Sequence, residues 1–260
     1  MKINYKENIV AFLDVLGFSN LVYNKTNDLI ESYFSYLLEE LHNLNKDGIF
    51  SVLFISDSIV ISTDASEVEL KKMIRFIAKV QYFLLLKGIL IRGAISYGNL
   101  YLDKDKNIIV GPGLINAYNL ESKASTPRVI IDRRLITRFF KNTIDFTSYI
   151  NSNEFGNTDN EEFIKSDSED SNQYLYINYL RYTTRLSKTY LHGRTETITS
   201  LLKSNYYSDN NYFKYHWLLK NLKEELSKTI LLYNSVELKN KTSISRLKKM
   251  RIWEEELMLI

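Results

Sequence analysis

The 260-residue chain contains no cysteine. That excludes a disulfide scaffold and a cysteine-ligated zinc, and it fits a reducing compartment. Its three histidines, His42, His192 and His216, share no ligand spacing, so a histidine metal site is not expected. Long apolar runs are also missing. The most apolar helical candidate, near Val80 to Ile91, is cut by Lys87 and is too short to span a bilayer. The N-terminus lacks a basic segment followed by an apolar stretch and a small-residue cleavage site, so a cytoplasmic location is expected. A net charge of +3 is too small to argue for nucleic acid, and the basic run from Lys239 to Arg251 reads as a solvated helix face. Neither nucleic acid nor a membrane is expected as a partner.

What is present is enough apolar material, 45% of residues, for one sizeable domain with an appendage. Residues 8–13 read as a central strand that ends in Asp14 and opens through Gly17 into a helix. A helix is expected over 28–45, a hairpin over 49–55 and 58–63 around Ser56-Asp57-Ser58, a helix from Ser66, and a strand over 89–98. Short strands at 99–102 and 108–110 flank a polar turn. Then come a helix from Gly113 to about Ala124, a strand at 128–131 and a helix at 132–140. The order strand, helix, strand, strand, helix, strand is the ferredoxin-like βαββαβ pattern of an α+β fold. The expected domain covers residues 1–145. An acidic polar loop or linker follows at 146–172, then a helical C-terminal extension at 173–260.

In that topology the first strand lies between the third and fourth. Its C-terminal end and the hairpin turn then share one edge of the sheet. Asp14 and Asp57, 43 residues apart in sequence, are therefore expected to be neighbours. Either alone would read as a helix cap or a turn former; as a pair they read as metal ligands.

Phe12-x-Asp14-x-x-Gly17-Phe18-Ser19, the Asp57 hairpin, Arg92-Gly93-Ala94-Ile95-x-x-Gly98, and Gly111-Pro112-Gly113 through Leu120-Glu121 together resemble the catalytic domain of class III nucleotide cyclases. The resemblance covers roughly residues 8–140. More narrowly, Ala117-Tyr118-x-Leu120-Glu121-Ser122, Pro127-Arg128-Val129 and Lys214-Tyr215-His216-Trp217-Leu218 look like the bacterial pyrimidine cyclases of the Pycsar anti-phage systems.

The resemblance implies conversion of UTP or CTP to the 3′,5′-cyclic monophosphate and pyrophosphate. It implies two divalent ions, Mn2+ or Mg2+, held by Asp14, Asp57 and the Val15 backbone. The backbone of Val15, Leu16, Gly17, Phe18 and Ser19 would meet the phosphates. Purine cyclases read their base with a lysine and an acidic residue; those places hold Leu53 and Ile108 here, which favours a pyrimidine. Phe50 or Phe54 is a candidate stacking surface. The family's asparagine and arginine before Leu-Glu fall on Ile115 and Asn119 in an ungapped count. The implied catalytic set is thus Asp14, Asp57, Arg92 and Asn119, with Arg92, Lys123 or Arg128 supplying the positive charge. The implied partners are a second copy, completing a composite site, and a separate effector that binds the product. The alternative is a catalytically silent module of the same fold that binds nucleotide or protein.

Overall fold

The computed structural model describes residues 3–24, 27–106, 108–152, 162–167, 172–184, 188–208, 212–235 and 241–260. The chain forms two compact units, one of residues 1–81 with 90–178 and one of residues 82–89 with 179–260.

In the first unit β1 (Lys6–Val15) is followed by α1 (Phe18–Asn24), α2 (Asn27–Leu44), β2 (Ser51–Ile55), β3 (Ser58–Asp64) and α3 (Glu67–Leu85), whose last turn belongs to the second unit. Next come β4 (Ile91–Asp103), β5 (Ile108–Val110), α4 (Pro112–Glu121), β6 (Val129–Ile131), α5 (Arg133–Phe139), α6 (Thr143–Asn151), β7 (Ile164–Ser166) and β8 (Leu175–Ile177). The sheet order is β2-β3-β1-β4-β6-β8-β7, with β5 paired to β4. Strand β1 is antiparallel to both β3 and β4, so the first four strands have the ferredoxin-like arrangement that the element order predicts.

Alternation along β1 decides what lies on each face of this sheet. Ile9, Ala11, Leu13 and Val15 point one way and are buried. The apolar stripes of α2 and α3, among them Leu37, Leu41, Leu70, Met73, Ile74 and Ile77, cover that side. Ser66 starts α3 by accepting the Glu69 amide at 3.1 Å, as the Ser-x-x-Glu spacing predicts. Val10, Phe12 and Asp14 point to the opposite face, where α4 lies against β1 and β4. Gly113, Ala117 and Glu121, at successive i+4 positions, are the buried stripe of α4.

Two stretches depart from the expected pattern. Residues 99–102 are not a separate strand but the continuation of β4, which runs 13 residues without a break. The stretch 146–172 is not a linker in its described parts, because β7 pairs with β8 and β8 pairs with β6, extending the sheet. Three-residue strands need little apolar sequence when the backbone ladder is already present at their edge. Phe163, Ile164, Tyr176 and Ile177 are all buried, and their side chains suffice to seal them. Residues 153–161 and 168–171 of that segment lie outside the described residues.

The second unit is helical: α7 (Arg181–Thr184), α8 (Lys188–Asn205), α9 (Tyr212–Ser235) and α10 (Lys241–Met258), with α10 against α8 and α9. Leu202, Trp217, Leu218, Leu222, Leu226, Met250, Trp253 and Leu257 are buried within it, and Trp253 Nε1 donates to Thr199 Oγ1 at 2.9 Å. The Lys214–Leu218 motif therefore serves packing through Tyr215, Trp217 and Leu218. Lys239 of the basic run lies outside the described residues. No helix among the described residues is long and apolar enough to cross a membrane.

Candidate active site

The last residues of β1 build the centre of the site. Asp14 is the register partner of Ser58 on one side and of Arg92 on the other. Directly opposed residues of an antiparallel pair point to the same face, so Asp14 and Arg92 rise together toward α4. Asp57 precedes Ser58 in the two-residue turn between β2 and β3. Ser56 in that turn has φ of 57°, a left-handed conformation that costs a serine about 1–2 kcal/mol. Strain of this kind clusters where a side chain must be aimed. The register thus sets Asp57 beside Asp14, close enough for its negative charge to push the Asp14 carboxyl up.

A third carboxylate enters from α4. Arg92 Nε lies 3.1 Å from Asp14 Oδ2 and 2.6 Å from Glu121 Oε1. The Glu121 contact is an ion pair without a well-directed hydrogen bond to that buried oxygen. Burial pushes the Asp14 carboxyl above its ordinary range; Arg92 pulls it back, and Asp57 pushes it up further. Glu121 is raised for the same reasons, burial first, with Asp14 and Asp57 adding to it against Arg92. One guanidinium thus stands among three carboxylates. In the sequence Glu121 stands out only as part of the Leu120-Glu121 motif. The i+4 spacing from Gly113 and Ala117 puts it on the sheet face, above the end of β1, and could have found it.

The donor set can be tested against a divalent ion. Among the described residues, no three His, Cys, Asp or Glu side chains form a ligand group. Two carboxylates and the adjacent Val15 carbonyl are hard oxygen donors. They fit Mg2+ or Mn2+, which commonly take one or two carboxylates and complete their shell with phosphate oxygens and water. Burial leaves the Asp14 carboxyl raised despite Arg92, with Asp57 adding to it, so a further cation would favour its ionised form.

The other expected residues are only partly brought together. Gly17 has φ of 84° and makes the turn from β1 into α1. The Leu16 amide is already committed to Leu90 O at 2.8 Å, so it does not reach a phosphate. Phe18 packs edge-on against Phe34 of α2, and Ser19 is exposed. Phe50 is buried against Phe76 of α3 at 4.7 Å, and Phe54 shares its side of the sheet by strand alternation. Neither is a stacking surface beside Asp14.

Leu53 does face the α4 side, packed with Phe12 and Ile109 on the cluster of Val10, Val60, Leu100 and Ala117. The β5 residue in this cluster is Ile109, one step from the expected Ile108, which alternation turns the other way. Asn119 is exposed and lies two residues before Glu121, about 200° around α4. It therefore faces away from Asp14 of its own chain. Asn116 donates to Tyr97 O at 3.2 Å, Ile115 is exposed, and Tyr118 meets Phe12 edge-on at 5.3 Å while its ring stays mostly open to solvent. Arg128 is buried and paired with Asp167 at 3.2 Å, Lys123 is exposed just past α4, and Arg92 is the expected cation seen in contact with Asp14.

No protein-family model matches the chain, and no curated protein does. Among solved structures it is similar to the adenylyl cyclase CyaB from P. aeruginosa, at 16% identity and TM-score 0.45 over 53% of this chain and 82% of that one. It is similar to the guanylyl cyclase Cya2, at 12% identity and TM-score 0.46 over 53% and 80%. A dimeric guanylyl cyclase domain of the RhoGC fusion protein from the aquatic fungus Blastocladiella emersonii aligns at 15% identity and TM-score 0.46, over 66% of this chain and 93% of that one.

Proposed function

We propose that the protein is a nucleotide cyclase acting on a pyrimidine triphosphate, UTP or CTP, and that it works as a homodimer with composite sites. The observation that carries this reading is the strand register that sets Asp14 beside the turn bearing Asp57, with Arg92 at 3.1 Å from Asp14. In the reaction the ribose 3′ oxygen attacks the α-phosphorus and a new P–O bond forms. The bond to the β-phosphate oxygen breaks, pyrophosphate leaves, and the hydroxyl proton passes to solvent or to a carboxylate. Asp14, Asp57 and the Val15 carbonyl would hold divalent ions, which would supply Lewis-acid stabilisation of the phosphate charge and a more acidic 3′ hydroxyl. Asp14 and Asp57 fix where the triphosphate sits, and Arg92 adds positive charge beside them. Leu53 and Ile109 offer only apolar surface, which does not hydrogen-bond a purine edge. Asn119 faces outward and would act in the site of a second copy. A cytoplasmic second-messenger role in anti-phage defence, with a separate effector that binds the product, follows from the resemblance of the motifs alone.

The second reading is a catalytically silent nucleotide-binding module. Ile115 and Asn119 favour it, since they provide no Asn/Arg pair for the transition state. Incubation of purified protein with each of the four NTPs and Mn2+, with mass spectrometry of the products, decides between the two. Cyclic UMP or cyclic CMP is expected. Cyclic AMP or cyclic GMP as the main product would overturn the pyrimidine assignment, and nucleotide binding without product would favour the silent module.

A further inference from the structure

Arg92 holds two carboxylates through one nitrogen, and the two contacts are unequal. Glu121 is 5% exposed, its Oε1 receives no other hydrogen bond, and it sits at 2.6 Å. Asp14 is more open, lies at 3.1 Å, and has Asp57 as a second neighbour. Loss of Arg92 from Glu121 would leave a buried, uncompensated charge, whereas loss of Arg92 from Asp14 would leave a carboxylate that solvent or another cation can reach. The Nε–H donates its hydrogen bond to Asp14 Oδ2, whereas the shorter contact to the more buried Glu121 is an ion pair whose loss would cost more, so the guanidinium can turn from Asp14 to Glu121 without becoming unpaired.

We propose that Arg92 is a resident counter-cation that competes with divalent metal for Asp14, and that Glu121 is the positioning residue that takes the guanidinium when metal enters. This rests on the reading of Asp14 and Asp57 as metal ligands. Without metal, the guanidinium relieves the repulsion among Asp14, Asp57 and Glu121. When a divalent ion arrives, the side chain gives up Asp14 without becoming unpaired, because Glu121 retains it. The site would thus stay folded when empty and still open to metal.

The test is Mn2+ binding to the full chain, read by electron paramagnetic resonance of free Mn2+ and independent of turnover. Glu121→Gln leaves Arg92 with Asp14 as its remaining carboxylate in this pair. It should weaken Mn2+ binding about tenfold, the lower end of what outer-shell partners of metal ligands contribute. Arg92→Gln combined with Glu121→Gln keeps the net charge and removes the competitor, so it should bind Mn2+ more tightly than wild type. A purely through-space effect of Glu121 would instead leave the double variant at the wild-type affinity, and that result would overturn the proposal.

If the double variant does not fold, wild-type protein still decides. The Arg92 Nε–H resonance, identified by its loss in Arg92→Lys, should shift on Mg2+ titration, and an unmoved resonance would overturn the proposal. Failure of wild type to bind Mn2+ at all would remove the metal reading itself and this inference with it. Normal wild-type binding with no change in any variant would remove only the inference.

Discussion

Gly98 of β4 and Gly113 of α4 touch backbone to backbone. A Cβ on Gly98 would lie 2.9 Å from the Gly113 nitrogen, and one on Gly113 would lie 2.9 Å from the Gly98 oxygen. This contact fixes the height and phase of α4 over the sheet, and so brings Glu121, two turns on, down onto Arg92.

Gly98→Ala should therefore push α4 off β4. Both clashing atoms are backbone and cannot rotate away, and φ at Gly98 is 156°. Overpacking of this kind typically costs about 1–3 kcal/mol. A urea denaturation midpoint below wild type, with loss of the Arg92–Glu121 contact in a structure of the variant, is the expected outcome. A fully stable variant would show that the helix tolerates a shifted seat.

Asp14→Asn should raise thermal stability while it removes activity. The carboxyl of Asp14 is pushed above its ordinary value of 3.8, by burial first and then by Asp57, against Arg92. A raised folded-state value means that its stabilising contribution is present below 3.8 and is lost as pH rises through the raised value. At neutral pH the ionised group is thus a liability that asparagine removes. The melting temperature of the variant should exceed that of wild type at neutral pH, and the gap should close as pH falls toward the ordinary carboxylate range. Divalent metal should stabilise wild type and not the variant.

Asp132 behaves in the opposite sense. It caps α5 by accepting the Arg134 amide at 2.9 Å, receives the Ser96 hydroxyl at 2.5 Å, and is paired with the Arg134 side chain at 2.7 Å. Burial alone would raise it, yet the bonds from Arg134 and Ser96 prevail and its carboxyl is held below 3.8. Its stabilising contribution is present above 3.8 and is lost as pH falls through the depressed value. Asp132→Ala should cost about 1–3 kcal/mol at neutral pH, from the lost cap and the Ser96 hydroxyl left without this acceptor. The difference should shrink in acid, which a denaturation series across pH would reveal.

Much of this was legible in the residues, and the parts that were not share a cause. The meeting of Asp14 with Asp57 follows from element order alone, because strand order in the βαββαβ unit leaves one place for the end of β1 and for the β2–β3 turn. The capping spacing at Ser66 and Glu69 located α3 within one residue. Strands β7 and β8 were missed because their pairing comes from an edge offered by β6, not from a pattern of their own. Ile108 comes from an ungapped count against the family motif and Phe50 from its nearness to Leu53, whereas the two-residue period of a strand decides the face. Both kinds of departure, an edge strand and the face of a strand residue, are set by the neighbouring strands, which a linear count does not carry.

The proposed composite site makes a prediction about assembly. Ile55, Ile115 and Tyr118 are 49%, 57% and 57% exposed, and all lie on the α4 side of the sheet or on α4 itself. Ile115→Glu should convert a dimer to a monomer by light scattering and abolish cyclase activity. Because Asn119 faces away from Asp14 of its own chain, an Asp57→Ala protein mixed with an Asn119→Ala protein should regain part of the activity through mixed dimers. Full activity in a monomer would sink the composite-site reading.

The choice of base offers the last check. Leu53 and Ile109 pack together on an apolar cluster and bring no side-chain polar atom to the α4 face at that point. A purine whose edge was buried there would leave polar groups unpaired, at about 1–3 kcal/mol for each. Each 1.4 kcal/mol is a factor of ten, so one or two such groups suffice for strong discrimination. Leu53→Lys with Ile109→Asp would restore a donor and an acceptor at those positions. The double variant should lose pyrimidine turnover and gain measurable turnover of ATP, read as the ratio of cyclic AMP to cyclic UMP by mass spectrometry. Ile108→Asp in place of Ile109→Asp should have the smaller effect, because it sits on the other side of β5. An unchanged product ratio in the Leu53 and Ile109 variant would remove both residues from base recognition and leave the selectivity to the partner-facing side of α4.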